Sequence, residues 1–199
     1  MWFARRKEKP VPEELARRTW SALALFDAGQ YQHAEPEWRA IVREHTDQLG
    51  PDHPETIKNI DRLGSVLFRL RKLDLSRNMH DEAHRRALTT FGLNHPATLS
   101  IAHNLACAMV LMGDREAIPL LNDTLTRQRR KLGKRHQDTI TTAKTLGVFL
   151  FTKGDAQGAI TTLSEALQAG TRAFGKNDPL VADIAHQLDI VLRNSRLGR

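Results

Sequence analysis

The sequence has few of the residues expected in a secreted or membrane-spanning protein. Its single cysteine, Cys107, cannot form a disulfide within the chain, which favours a reducing compartment. No apolar run reaches the ~18 residues that a membrane-spanning helix needs. The first residues, MWFARRKEKPVPEEL, carry charges where a secretory signal has its apolar stretch. We therefore expect a cytoplasmic protein without a membrane span.

Short motifs of the common enzyme classes are also missing from the sequence. It contains no Walker-type phosphate loop, no Gly-x-Gly-x-x-Gly and no Gly-x-Ser-x-Gly. Apolar residues make up 40% of the chain and charged residues 27%, a balance typical of an ordered, water-soluble protein. We predict that the protein is not an enzyme and that it uses no cofactor.

Basic residues outnumber acidic ones by 30 to 23, which gives a formal net charge of +7. This excess would attract acidic proteins, and it could also bind the phosphates of nucleic acid. Aromatic residues are not interleaved with the charges, so stacking on single-stranded bases has no support. Two predicted helix ends hold most of the clustered charge: Arg69, Arg71 and Lys72 in one, and Arg127, Arg129, Arg130, Lys131, Lys134 and Arg135 in the other.

Four segments of the chain resemble one another at a constant spacing. They read LGPDHPETI, FGLNHPATL, LGKRHQDTI and FGKNDPLVA, and their glycines stand at 50, 92, 133 and 175, which are 42, 41 and 42 residues apart. In each segment a glycine suited to a left-handed helix end precedes a helix start with proline or a carboxylate nearby. The period predicts a helical repeat protein.

Apolar residues between these turns follow helical spacing, so each repeat is predicted to be an antiparallel pair of helices, A and B. We expect A helices at 13–28, 54–71, 96–112, 137–153 and 179–194, and B helices at 31–49, 73–91, 115–132 and 156–174. The second repeat departs from the pattern, because it has Arg71-Lys72-Leu73 at the turn between its two helices, where the other repeats have a glycine.

The stretches YQHAEPEWRAIVREHTDQLGPDHPETI and HPATLSIAHNLACAMVLMGD resemble the tetratricopeptide repeat, in the long form of kinesin light chains. The resemblance implies an all-α fold, a right-handed α-α superhelix (solenoid) of about four and a half helix pairs. It covers 13–194 as one domain, which leaves a flexible basic segment at 1–12 and a tail at 195–199. Relatives of this type are usually scaffolds whose A helices line a concave groove.

The resemblance assigns the groove position by alignment to Asn104, and the residue just before it and residues one helical turn away on the same face complete a set of eleven. Polar side chains among them are expected to bind peptide backbone, and cationic side chains are expected to hold carboxylates. The alternative is a solvated face without a ligand. The polar side chains expected to bind peptide backbone are Asn104, Thr145 and Gln187. The cationic side chains expected to hold carboxylates are Lys58, Arg62 and Lys144. The predicted groove residues are Trp20, Lys58, Asp61, Arg62, Ser65, His103, Asn104, Lys144, Thr145, His186 and Gln187.

Two tryptophans stand at positions where packing and binding both have to be considered. Trp20 lies at one end of the predicted groove and is either an aromatic anchor for a partner or a core residue. Trp38 falls on a B-helix position that a large packing residue usually occupies. We therefore expect Trp38 in the core.

Two residue pairs have spacings that could support chemistry. Cys107 follows His103 by four residues, but no third residue orients the pair at a recognisable spacing, and free cysteines are often buried. His80 and His84 have the i, i+4 spacing of metal ligands without an evident third ligand, so an exposed polar helix face is the preferred interpretation. No catalytic and no metal-binding residue is predicted.

The sequence therefore predicts a non-catalytic interaction scaffold or adaptor that binds a protein or peptide partner of acidic character. The alternative is a regulatory module that binds nucleic acid or acts in trans on a transcriptional regulator. A cryptic enzyme or metal protein ranks third. Self-association stays open, because the ends of solenoids readily pair.

Overall fold

The computed structural model describes residues 9–197, and within this range the chain forms nine α-helices and no strand. None of these helices combines the length and the apolar content that a membrane span requires. The all-α fold class is confirmed. The helices are α1 (Glu13–Asp27), α2 (Tyr31–Leu49), α3 (Pro54–Arg69), α4 (Leu73–Phe91), α5 (Pro96–Leu111), α6 (Ala117–Lys131), α7 (Gln137–Thr152), α8 (Ala156–Phe174) and α9 (Pro179–Leu197).

The predicted helix bounds agree closely with the observed ones. Helices α2, α4 and α8 have the predicted bounds, whereas α6 begins two residues later than expected, at Ala117. The A helices α1, α3, α5 and α7 end one or two residues early, and α9 continues to Leu197, into the predicted tail 195–199. Residues 1–8 of the predicted N-terminal segment lie outside the described residues.

The helices fall into two compact units, where the sequence predicts one continuous domain over 13–194. The first unit ends at Gly92 and holds α1–α4, while the second begins at Leu93 and holds α5–α9. Within each unit, consecutive helices pack against each other. The core of the first unit centres on Ala22, Ala34, Trp38, Ile41, Leu63, Val66 and Leu67, and that of the second includes Leu121, Leu125, Ile140, Leu146, Leu163 and Ile184.

The histidines of the repeat segments, His53, His95 and His136, cap the starts of α3, α5 and α7. The imidazole Nδ1 of His53 accepts a hydrogen bond from the backbone N–H two residues further on, at 3.2 Å. His95 and His136 make the same bond at the starts of α5 and α7, also at 3.2 Å. The bond satisfies one of the N–H groups that have no partner within the helix. These histidines act as structural caps.

The second repeat compensates for its departures from the pattern. Ser76 replaces the alanine found in other repeats, and it is buried. Its hydroxyl donates a hydrogen bond of 2.8 Å to the carbonyl oxygen of Gly64 on α3, so the polar group has a partner. Arg71 occupies the place of the missing glycine and has a φ of 59°, a left-handed conformation that favours glycine.

Arg71→Gly is expected to raise the free energy of unfolding by about 0.5–1 kcal/mol, because relief of left-handed strain outweighs the entropy cost of glycine. Arg71 is exposed, so the substitution removes no packed side chain. Gly154→Ala, at the corresponding turn with a φ of 90°, is the matched control and should destabilise the protein. Urea unfolding measures both changes. An Arg71→Gly protein no more stable than wild type would contradict this assignment of strain.

Candidate functional site

The A-helix face of the second unit is formed by α5, α7 and α9, and α7 contacts both of the others. Two polar links join these helices. The hydroxyl of Thr142 on α7 lies 3.1 Å from His103 Nδ1 on α5, and Lys144 on α7 donates to Asp183 on α9 at 2.6 Å. Gln187 lies one helical turn from Asp183 on α9, with its amide 3.5 Å from the carboxylate. Each of these contacts between helices joins one predicted groove residue, His103 or Lys144, to a residue outside the predicted set.

A polar pocket of about 290 Å³ opens between α5 and α7. We call it the α5–α7 pocket. Its base includes Gln128 of α6, whose side chain is fully buried and whose carboxamide nitrogen and oxygen have no hydrogen-bond partner among the described residues. The other lining residues are Ser100, His103, Asn104, Gln137, Asp138 and Thr141. A buried carboxamide with both groups unpaired can donate and accept at once.

Charge on the α7–α9 side of this face is largely balanced within the chain. The hydrogen bond and positive charge of the Lys144 ammonium group lower the pKa of the Asp183 carboxyl, and the hydrogen bond from Gln187 lowers it further. Asp183 therefore stays ionised and paired over the physiological range. A carboxylate arriving from a partner would have to share Lys144 with Asp183.

In the first unit the predicted groove residues contact their own neighbours. Lys58 pairs with Glu55 at 2.6 Å, and Ser65 donates to the Asp61 carbonyl at 3.2 Å. Arg62 donates to Asn59 at 2.9 Å, and its guanidinium lies over the Trp38 ring, 5.6 Å from the centroid. The first-unit positions thus combine ion pairing, a bond to the helix backbone and aromatic stacking.

The two tryptophans considered from the sequence, Trp20 and Trp38, differ in burial. Trp38 is fully buried, which confirms the expected core position. Trp20 on α1 is 72% exposed, so the alternative that placed it in the core is wrong. An exposed tryptophan of this kind can serve as an aromatic anchor for a partner.

Cys107 and His103 form the pair that the sequence suggests, with Sγ 3.3 Å from Nε2. The structure also supplies a third residue that the sequence did not reveal, because Thr142 contacts the other imidazole nitrogen. Burial nevertheless raises the pKa of the Cys107 thiol to about 11. At neutral pH only about one thiol in ten thousand is ionised, so the arrangement does not activate a nucleophile.

His80 does not lie on an exposed helix face, contrary to the preferred interpretation of its spacing. It is buried, and its Nδ1 lies 2.7 Å from Asp61 Oδ1 on α3. Burial also lowers the pKa of His84, which favours its neutral form. In the described part of the chain, no three His, Cys, Asp or Glu side chains are grouped closely enough to hold a metal ion.

Gln128 is the residue of this site that sequence reasoning missed, because it stands on a B helix and the groove is expected on the A helices. It lies five residues before the repeat glycine, where the other repeats have His45, Ala87 and Gly170, all buried. The sequence did contain a signal for Gln128. This position holds a small residue in two of the four repeats, whereas Gln128 is long and polar. Ser100 and Thr141 fall on the expected face by helical spacing but were not among the predicted groove residues.

The predicted repeat type is supported by known proteins. The family model of the tetratricopeptide repeat matches residues 56–116. A kinesin light chain protein of Podosopora anserina with nearly identical TPR-like repeats is similar in structure, with a TM-score of 0.79 at 19% identity over 94% of this chain and 90% of that one. A variant form of that protein gives a TM-score of 0.81 with the same identity and coverage.

A third structure, BtubC (BKLC) from P. vanneervenii, has a TM-score of 0.78 at 17% identity and covers 91% of this chain and 72% of that one. At these identities the likeness establishes the fold. The predicted tetratricopeptide-like fold of kinesin-light-chain type is confirmed.

Proposed function

We propose that this tetratricopeptide repeat protein is a non-catalytic interaction module that captures a peptide or helix of a protein partner on the face formed by α5, α7 and α9. Tetratricopeptide repeats generally serve as protein-interaction scaffolds, which supports the class of function. The α5–α7 pocket is the observation that carries the proposal. It is small enough to take one side chain or a stretch of main chain, so a segment of a partner fits better than a folded surface.

Gln128 lines the pocket, and its unpaired carboxamide favours a ligand that can form hydrogen bonds with it. Leaving a buried donor or acceptor unpaired costs about 1–3 kcal/mol, and Gln128 leaves both groups unpaired among the described residues. A peptide amide, in the main chain or in an Asn or Gln side chain, offers a complementary donor and acceptor. Binding of such a group would relieve the cost, which makes the pocket selective for amides over apolar side chains.

The acidic character that we propose for the partner is supported mainly by long-range charge. The net charge of +7 accelerates encounter with acidic proteins. At close range, Lys144 lies on the same face but is already paired with Asp183. Acidic residues of the partner therefore contribute chiefly to the rate of association, while the pocket contributes to specificity.

We expect Ser100→Arg to weaken partner binding at least about tenfold, because a long side chain at this exposed position of α5 would fill the mouth of the pocket. Ser164→Arg makes the same chemical change at an exposed position of α8 and is the matched control. Partners are captured from native lysate with all three proteins, and peptides from the captured protein are then titrated by fluorescence polarisation.

Recovery of one protein by wild type and Ser164→Arg, but not by Ser100→Arg, would support the pocket as the binding site. Equal recovery and equal Kd values for all three proteins would overturn the proposal. A cytoplasmic site of action completes it and is supported by the single cysteine. Charge reversal at Lys144 is a poorer test, because it would place a carboxylate against Asp183 and disturb the α7–α9 packing.

A further inference from the structure

A second cavity, of about 340 Å³, lies on a different side of α7 from the peptide-binding face. We call it the basic cavity. It is bounded by the end of α6, the α6–α7 loop, the first turns of α7 and the second half of α8. Four of its lining residues are cationic and one is acidic: Arg129, Lys134, Arg135, Arg172 and Glu165. None of its lining residues belongs to the α5–α7 pocket.

The charges around this cavity are only partly compensated. Arg129 on α6 pairs with Glu165 on α8 at 2.7 Å, which ties two walls of the cavity together. Lys134, Arg135 and Arg172 have no acidic partner within residues 9–197. Three uncompensated cations therefore line one concave site, and concave sites focus the electrostatic field on small anions.

Thr139 provides an independent sign of an unfilled site. Thr139 lines the cavity, and its buried hydroxyl has no hydrogen-bond partner among the described residues. At the corresponding position of the first unit, the Thr56 hydroxyl donates to the Gly50 carbonyl at 2.8 Å. The end of α6 is wound differently, since Gly133 N–H bonds to the carbonyl five residues earlier rather than four. The threonine thus keeps a free donor beside the cations.

We propose that the basic cavity binds a small phosphorylated molecule. Arginine and lysine side chains from three segments can surround the tetrahedral oxygens of a phosphate, and the planar guanidinium groups bind them in pairs. Thr139, which also lines the cavity, adds an unpaired hydroxyl donor. The volume lies at the lower end of the range for small-molecule pockets, which fits a compact ligand better than a nucleic-acid strand.

The test is titration of the whole chain with inorganic pyrophosphate by isothermal calorimetry, with citrate at the same ionic strength as a non-phosphate polyanion. Arg135→Gln and Arg172→Gln each remove one charge from the cavity, and both positions are exposed, so folding is preserved. Arg130→Gln removes the same charge from an exposed residue at the same end of α6 that does not line the cavity. Circular dichroism verifies that all variants keep their helices.

We expect pyrophosphate to bind the wild type and Arg130→Gln alike, and the Arg135→Gln/Arg172→Gln double variant at least about tenfold more weakly. Citrate should bind more weakly than pyrophosphate to the wild type. The proposal is overturned if pyrophosphate shows no binding up to about 10 mM, a concentration at which even a weak ligand occupies its site. It is overturned equally if Arg130→Gln loses as much affinity as the double variant, or if citrate binds as tightly.

A parallel titration with labelled single-stranded RNA and duplex DNA separates the small ligand from a polyanion. Binding of nucleic acid that falls steeply with salt, and that depends on Arg130 as much as on the cavity residues, would indicate a diffuse charged surface. That result would overturn the small-ligand assignment in favour of nucleic-acid binding. Absence of nucleic-acid binding, with pyrophosphate bound, is the expected outcome.

Discussion

Trp38→Ala is expected to lower the free energy of unfolding by about 3–5 kcal/mol, the range for loss of a large aromatic side chain from a core. Trp38 is fully buried in the first unit, in the same cluster as Ile41, Leu63 and Leu67. Its removal leaves a cavity that neighbouring helices cannot fill, and it also removes the ring on which the Arg62 guanidinium rests. A loss of this size is comparable to the whole stability of a small domain.

Trp20→Ala is the matched control, because it deletes the same side chain from a position that is 72% exposed. Its effect on the free energy of unfolding should stay within about 0.5 kcal/mol. Urea unfolding followed by circular dichroism measures both variants without depending on tryptophan fluorescence. Equal losses for the two substitutions would contradict the burial that separates them.

Gly64→Ala is expected to destabilise the first unit by about 3 kcal/mol, through overpacking and disruption of a buried polar contact. A β-carbon on Gly64 would lie 2.7–2.9 Å from three atoms of the His80 imidazole. The ring cannot move aside at small cost, since it is buried and held by Asp61 on α3. The absence of a side chain at Gly64 is thus what allows α3 and α4 to approach closely.

A double-mutant cycle with His80→Ala tests the cause of this loss. In the His80→Ala background the added methyl group meets no ring, so Gly64→Ala should cost at least about 1–2 kcal/mol less than in the wild type. The free energies come from urea unfolding of the four proteins. Strict additivity of the two substitutions would show that the His80 ring is not what excludes alanine.

Local sequence signals determine most of the helix bounds. Glycines with positive φ stand in the turns on both sides of the B helices α2 and α8, so the bounds of these helices could be predicted to the residue. The start of α6 departs from the prediction, because the N–H groups of Ala117 and Ile118 bond to carbonyl groups three residues back, at Asp114 and Arg115, so that the chain makes a tight turn before the α-helix begins. The family resemblance assigned the groove position of Arg62, and helical spacing then placed Lys58, one turn earlier, on the same face of α3.

Side-chain pairings across helices could not be derived in this way. His103 meets Thr142, and Lys144 meets Asp183, over separations of 39 residues in each case. Whether such groups touch depends on the distance and rotation of neighbouring helices, which are set by the packing of many side chains together. The same applies to Gln128, which lines the pocket only because α6 packs against α5 and α7.

By itself, therefore, the sequence determined the repeat, the helices and their order, because those properties depend on backbone conformation and on local turn and capping signals. Tertiary structure alone decided that Trp20 is exposed and that Lys144 is paired with Asp183. It also decided that Cys107 stays a thiol, and that Thr139 lines a cavity with three cations that have no acidic partner among the described residues. Those outcomes depend on burial and on charges brought together from distant repeats. A short stretch of sequence does not reveal the burial of a side chain or the charges around it, because both depend on which distant groups pack against it in the folded chain.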